Sequence, residues 1–134
     1  PGLAEDAVSQ RINTSTLKSS VKKLGRVSRA DRDGLIKMAI ALVFPSEYEG
    51  FGAPVIEAMA LATPVISSDM ACLPEVVGDA GLVLPLRIEA WADAINQVEA
   101  SRTRYAEAAT KRLENFTAEA SGWALASAYR LALS

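Results

Sequence analysis

The sequence predicts an α/β fold in which a mainly parallel sheet carries helices on both faces. Three observations support that expectation. Short apolar runs such as Ala41-Leu42-Val43-Phe44, closed by Pro45, have the length and β-branched content of buried strands. Segments of helical character, opened by Ser, Thr or Pro, stand between them. The two kinds alternate in a βαβαβ rhythm, and such alternation joins parallel strands through crossover helices. With 134 residues, half of them hydrophobic, the chain is one domain's worth and can bury a sizeable core.

In chain order, residues 3–17 are expected to form a helix and 21–25 a strand. Ser28, followed three residues later by Asp31, is a capping-box-like start for a helix through residue 39. The strand 41–44 comes next. After a loop, Pro54 suits the first turn of a helix over 54–61, where its missing N–H costs nothing. A strand over 64–67, a short helix over 74–77 and a strand over 81–84 follow. Helices over 88–100 and 102–115, and one from the cap Thr117 to residue 133, carry small apolar faces and ordinary surface charge. Packing is their expected role. No repeat or low-complexity segment interrupts the pattern.

Composition narrows the function. Fourteen Lys and Arg against sixteen Asp and Glu give a formal charge of −2, with no strongly basic block. Nucleic acid is therefore not an expected partner, because that interface needs clustered cations to replace counterions. Cys72 is the single cysteine and histidine is absent, so neither an intrachain disulfide nor a nitrogen–sulfur zinc cluster can form. No apolar run approaches the ~20 residues that span a bilayer, and no signal-like segment opens the chain. The expected location is cytoplasmic. The chain opens at Pro1 with a helix that would normally follow a strand, and so reads as a fragment of a longer protein.

The densest chemistry lies between Pro45 and Ala60, where Glu49 and Glu57 bracket a Gly50-Phe51-Gly52-Ala53-Pro54 turn. Glu49 falls on the loop after a strand and Glu57 about one turn into the next helix, so both acids are expected to approach one small volume. Ligands of parallel α/β sheets bind outside the carboxyl ends of the strands. Gly50 and Gly52 lack a Cβ that would block a ligand, and amides at the helix N-terminus point outward as donors. Amide donors with carboxylate acceptors suit a polyhydroxylated ligand.

This segment resembles the E-x7-E region of retaining GT-B glycosyltransferases, specifically glycosyltransferase family 4. The usual pattern there is roughly P-S-x-x-E-G-F-G-x-P-x-x-E-A-M-A-x-G-x-P-V, and Pro45 to Val65 follow it closely. The likeness extends through Leu24-Gly25-Arg26-Val27-Ser28 before it and Pro74-Glu75-Val76-Val77-Gly78-Asp79-Ala80-Gly81-Leu82 after it. Ala62 stands where that family usually has glycine, and Ala71-Cys72-Leu73 lacks the frequent glycine ahead of Pro74-Glu75.

The resemblance implies that residues 1–134 are the Rossmann-like, donor-binding C-terminal half of a GT-B fold. The N-terminal acceptor half and its diphosphate-neutralising Arg/Lys pair would lie outside the chain. As catalytic residues, Glu49 would contact hydroxyls of the donor hexose and Glu57 would hold the nucleotide ribose. Gly50, Phe51, Gly52 and Ala53 would bring backbone amides to the sugar and diphosphate, and Val27 would lie near the base. The implied reaction moves a hexose, such as mannose or glucose on GDP or UDP, to an acceptor hydroxyl with retention of configuration. It needs no metal or other cofactor and belongs to polysaccharide biosynthesis. The implied partners are the nucleotide-sugar and, through the missing half, an acceptor glycan or a lipid-linked saccharide. A lipid acceptor would place the parent at the surface of the inner membrane, and the isolated half should turn over little.

Rival readings of the same residues are weaker. Gly50-Phe51-Gly52 with Asp69 imitates a dinucleotide fingerprint, but the third glycine is absent and Glu49 would repel a pyrophosphate. Asp31-Arg32-Asp33 has the form of a D-x-D metal motif, yet acids after a Ser cap suit the start of a helix. Paired acids also occur in glycosidases. A nucleotide-binding or partner-contact domain without catalysis, and a nucleotide-sugar epimerase of the same fold, are the alternative functions.

Overall fold

The computed structural model describes residues 3–13 and 16–133. Along them run α1 (Leu3–Asn13), a 3-10 turn (Thr16–Ser19), α2 (Arg29–Met38), β1 (Leu42–Phe44), α3 (Ala53–Ala60), β2 (Val65–Ser68) and α4 (Leu73–Val77). Then come β3 (Gly81–Leu84), α5 (Ile88–Trp91), α6 (Ala94–Ala100), α7 (Arg102–Leu113), a second 3-10 turn (Glu114–Phe116) and α8 (Ala118–Ala132). The strands form one parallel sheet in the order β1-β2-β3.

Register explains the layering. Leu42 pairs with Val65 and Val65 with Gly81, while Val43 pairs with Ile66 and Ile66 with Leu82. Because successive side chains point to opposite faces, Val65 and Ile66 must enter different cores. Val65 packs with Val55 and Met59 of α3 and with Leu73 and Val77 of α4. Ile66 packs with Ala94 and Val98 of α6 and Tyr105 of α7. Helices therefore cover both faces, as expected. Every residue of β2 is buried, the mark of a central parallel strand.

Two caps predicted from sequence hold in detail. Ser28 accepts from the Asp31 amide at 3.1 Å, and Thr117 accepts from the Ala120 amide at 3.0 Å. Three expectations need correction. Residues 21–25 form no strand; Val21 and Leu24 stay exposed, and their spacing of three cannot place both on one sheet face. The first helix ends at Asn13 and the chain resumes as a 3-10 turn at Thr16, with residues 14 and 15 outside the described residues. The segment 88–100 divides into α5 and α6, with the Trp91 indole donating to the Pro85 carbonyl at 2.8 Å and so tying α5 to the end of β3. Elsewhere the boundaries shift by a residue or two, and 102–115 tightens into the 3-10 turn after Leu113.

Ala62 and Ala71 have φ values of 55° and 51°. These fall at and beside the two places where the sequence departs from the glycine-bearing pattern. The backbone turn is kept there without the residue that adopts it most readily.

Candidate functional site

The loop that leaves β1 at Pro45 is pinned before it reaches its acid. Ser68, at the end of β2, donates from Oγ to the Ser46 carbonyl, and Ser46 donates from its own Oγ to Glu49 Oε1 at 3.0 Å. Cys72 Sγ contacts the Glu49 carbonyl oxygen at 3.4 Å. Glu49 is thus half-buried and held by both its side chain and its backbone.

Gly52 then turns the chain into α3. It is the N-cap residue, with φ 78° and ψ 45°, a left-handed conformation that suits glycine. A Cβ on Gly52 would stand 2.8 Å from Leu73 Cδ2, so the close neighbour here is a core leucine. That corrects the expectation that Gly52 is left bare for a ligand. At Gly50 a Cβ would meet nothing within 4 Å among the described residues. Phe51 is half-exposed and packs edge-on against Phe116, with ring centroids 5.9 Å apart. Ala53 begins α3, and no side chain among the described residues caps that helix.

Glu57 lies on the next turn of α3 and faces α2. Arg32 Nη2 approaches Glu57 Oε1 to 3.1 Å, with the two side chains 40% and 37% exposed. The same guanidinium donates through Nε and Nη2 to Asp33 Oδ1 at 3.2 and 2.9 Å. Arg29 stands 3.7 Å from Asp33 on its other oxygen. The hydrogen bond to Asp33 chiefly raises the Arg32 pKa; partial desolvation opposes this and the charge of Glu57 reinforces it. Arg29, Arg32, Asp33 and Glu57, with Ala60 and Leu61, line a cleft of about 200 Å³.

The frame under this cleft is fixed from two sides. Thr63 donates to the Ile36 carbonyl at 2.8 Å, and Arg102 donates to the Ala39 carbonyl at 3.0 Å. Both bonds hold the end of α2 where it meets the sheet. Val27 immediately precedes the Ser28 cap of α2 and is exposed.

Glu57 and the α2 residues are brought together; Glu49 does not line their cleft. Each expected acid has its own tether instead. Ser46 and Arg32 are the tethering residues that sequence reasoning missed. Ser46 left a local signal, a hydroxyl three positions before an acid, whereas Arg32 and Glu57 lie far apart in sequence. Asp31 accepts from Ser28 Oγ at 2.6 Å and Asp33 binds Arg32, so both acids of the D-x-D stretch are engaged within α2. Among the described residues, no three His, Cys, Asp or Glu side chains group as a metal site, and no helix is long and apolar enough to cross a membrane.

Comparison with known proteins gives the family of the chain. Residues 2–116 match the family described as Glycosyl transferases group 1. The O-antigen chain mannosyltransferase B of Escherichia coli is 44% identical over 82 residues, which is 61% of this chain and 22% of that protein. The O-antigen chain mannosyltransferase RfbU of Salmonella typhimurium is 42% identical over 94 residues, covering 69% of this chain and 27% of the relative. The chain thus spans about a quarter of the length of these curated relatives. Among solved structures, sucrose-phosphate synthase from Thermosynechococcus elongatus superposes with a TM-score of 0.80 at 27% identity, over 98% of this chain and 35% of that one.

Proposed function

The chain belongs to the glycosyl transferases group 1 family, with half of a GT-B fold, and from that membership we propose that it is the donor-binding half of a retaining hexosyltransferase. The donor is a nucleoside-diphosphate sugar and the acceptor a hydroxyl of a glycan or lipid-linked saccharide, met through the rest of the longer protein. Mannose is the favoured hexose, because two similar proteins are named as mannosyltransferases.

The observation that carries this reading is the placement of Glu57. It reaches a cleft lined by Arg29, Arg32 and Asp33 of α2, with Oε1 engaged by Arg32. A carboxylate oxygen so placed accepts hydrogen bonds from ribose hydroxyls. Glu49, held by Ser46 at the end of β1, orients the hexose. The uncapped start of α3 at Ala53 stabilises charge that grows on the leaving diphosphate. Transfer proceeds without a divalent metal. The alternative, a nucleotide-binding domain without catalysis, shares the donor site and differs only in turnover.

Calorimetric titration of the chain with UDP-, GDP- and ADP-sugars tests the binding half of this proposal. Saturable binding of one nucleotide series, abolished by excess of its free diphosphate, is expected. Absence of binding to all three would overturn it.

A further inference from the structure

We propose that Arg32 is a positioning residue for nucleotide recognition, fixing one oxygen of Glu57 so that the other is presented to the ribose hydroxyls. This rests on the assignment of Glu57 to the ribose. A glutamate on an exposed helix face samples several rotamers, and the ion pair with Arg32 from the neighbouring helix selects among them.

The selecting group is itself held. Arg32 spends Nε and Nη2 on Asp33, and Arg29 approaches Asp33 from its other oxygen, giving a chain Arg29–Asp33–Arg32–Glu57 along the cleft. Thr63 and Arg102 fix the end of the helix that bears it. Exposed ion pairs contribute little to stability, so the arrangement does more for orientation than for folding. A planar fork that binds two carboxylates at once cannot be reproduced by a single ammonium point charge.

The test titrates UDP, GDP and ADP, and their 2′-deoxy counterparts, into the chain and into Arg32→Gln, Arg32→Lys and Glu57→Gln. The readout is the ratio of ribose to deoxyribose affinity, which loss of folded protein does not move. For the nucleotide that binds, a ratio of about ten- to a hundredfold is expected in the unsubstituted chain. Arg32→Gln should lower that ratio by about tenfold, and Arg32→Lys should restore part of it. If Glu57→Gln abolishes the preference while Arg32→Gln keeps it, the positioning role is overturned and the ribose assignment stands. If Glu57→Gln also keeps it, or no nucleotide binds, the ribose assignment fails and this inference falls with it.

Discussion

Ser46 Oγ donates to Glu49 Oε1 across 3.0 Å, and Ser68 anchors the Ser46 carbonyl in turn, so the loop acid is tied through two serines to the end of the central strand. The opposite acid, Glu57, is tied across helices to Arg32. Both carboxylates are therefore oriented before any ligand arrives. Pre-organisation of this kind lowers the entropy lost when a flexible polyol is bound.

Ser46→Ala removes the loop tether and leaves Glu49 free to rotate. A half-exposed hydrogen bond to a carboxylate contributes about 1 kcal/mol, so affinity for the sugar nucleotide should fall roughly fivefold. Affinity for the sugar-free nucleoside diphosphate should stay unchanged. Parallel titrations of the two ligands check this, and an equal loss for both would show that the serine supports the fold instead of the hexose site.

Gly52 and Gly50 should respond differently to alanine. At Gly52 the left-handed backbone costs about 1–2 kcal/mol for any other residue, and the new methyl also pushes on buried Leu73. Gly50→Ala enters open space and should change stability by less than about 0.5 kcal/mol. Denaturant midpoints of the two variants provide the comparison.

Ala62→Gly should stabilise the chain. Relief of the left-handed strain at φ 55° returns about 1–2 kcal/mol, against about 0.4–1 kcal/mol for the freer unfolded chain. A net gain of up to about 1.6 kcal/mol is expected, and the same holds for Ala71→Gly. Urea unfolding measures it, and lower stability in both variants would mean that the two alanines pack in ways their backbone angles do not reveal.

The strands at 41–44, 64–67 and 81–84 were legible because a short, β-branched, apolar run has few other ways to bury itself. Ser28 and Thr117 were legible as caps because the bonds they make close over three residues. Residues 21–25 were misread because a strand depends on a neighbouring strand as well as on its own composition, and the sheet described is made of β1, β2 and β3. The need for glycine at position 52 was legible, but its cause was not. Leu73 approaches it through tertiary packing that no local pattern records. The Arg32–Glu57 pair was hidden for the same reason, since it exists only once α2 lies against α3. Local rules therefore found most of the elements, while the groups that tether Glu57 came from packing.

Transfer by the full-length parent should survive thorough chelation. Asp31 and Asp33, the one D-x-D stretch, are already bound to Ser28 and Arg32. Rates with and without EDTA should agree within error; loss on chelation with rescue by manganese or magnesium would reverse the proposal of metal-independent chemistry.

The two carboxylates can be separated by ligand. Glu49 sits on a loop at the strand end and Glu57 on a helix facing α2, so each should see a different part of the donor. In the full-length enzyme, Glu49→Gln should leave affinity for the free nucleoside diphosphate nearly unchanged and cut transfer strongly, because the hexose is no longer aligned. Glu57→Gln should weaken the nucleoside diphosphate itself. A charge-assisted hydrogen bond to a ribose hydroxyl contributes roughly 1.5–3 kcal/mol, which is about ten- to a hundredfold in affinity. Titration of both variants with the sugar-free nucleotide, alongside single-turnover transfer, decides the matter. Normal binding by Glu57→Gln with weak binding by Glu49→Gln would exchange the two roles, and no change in either variant would move the donor site away from this loop and helix altogether.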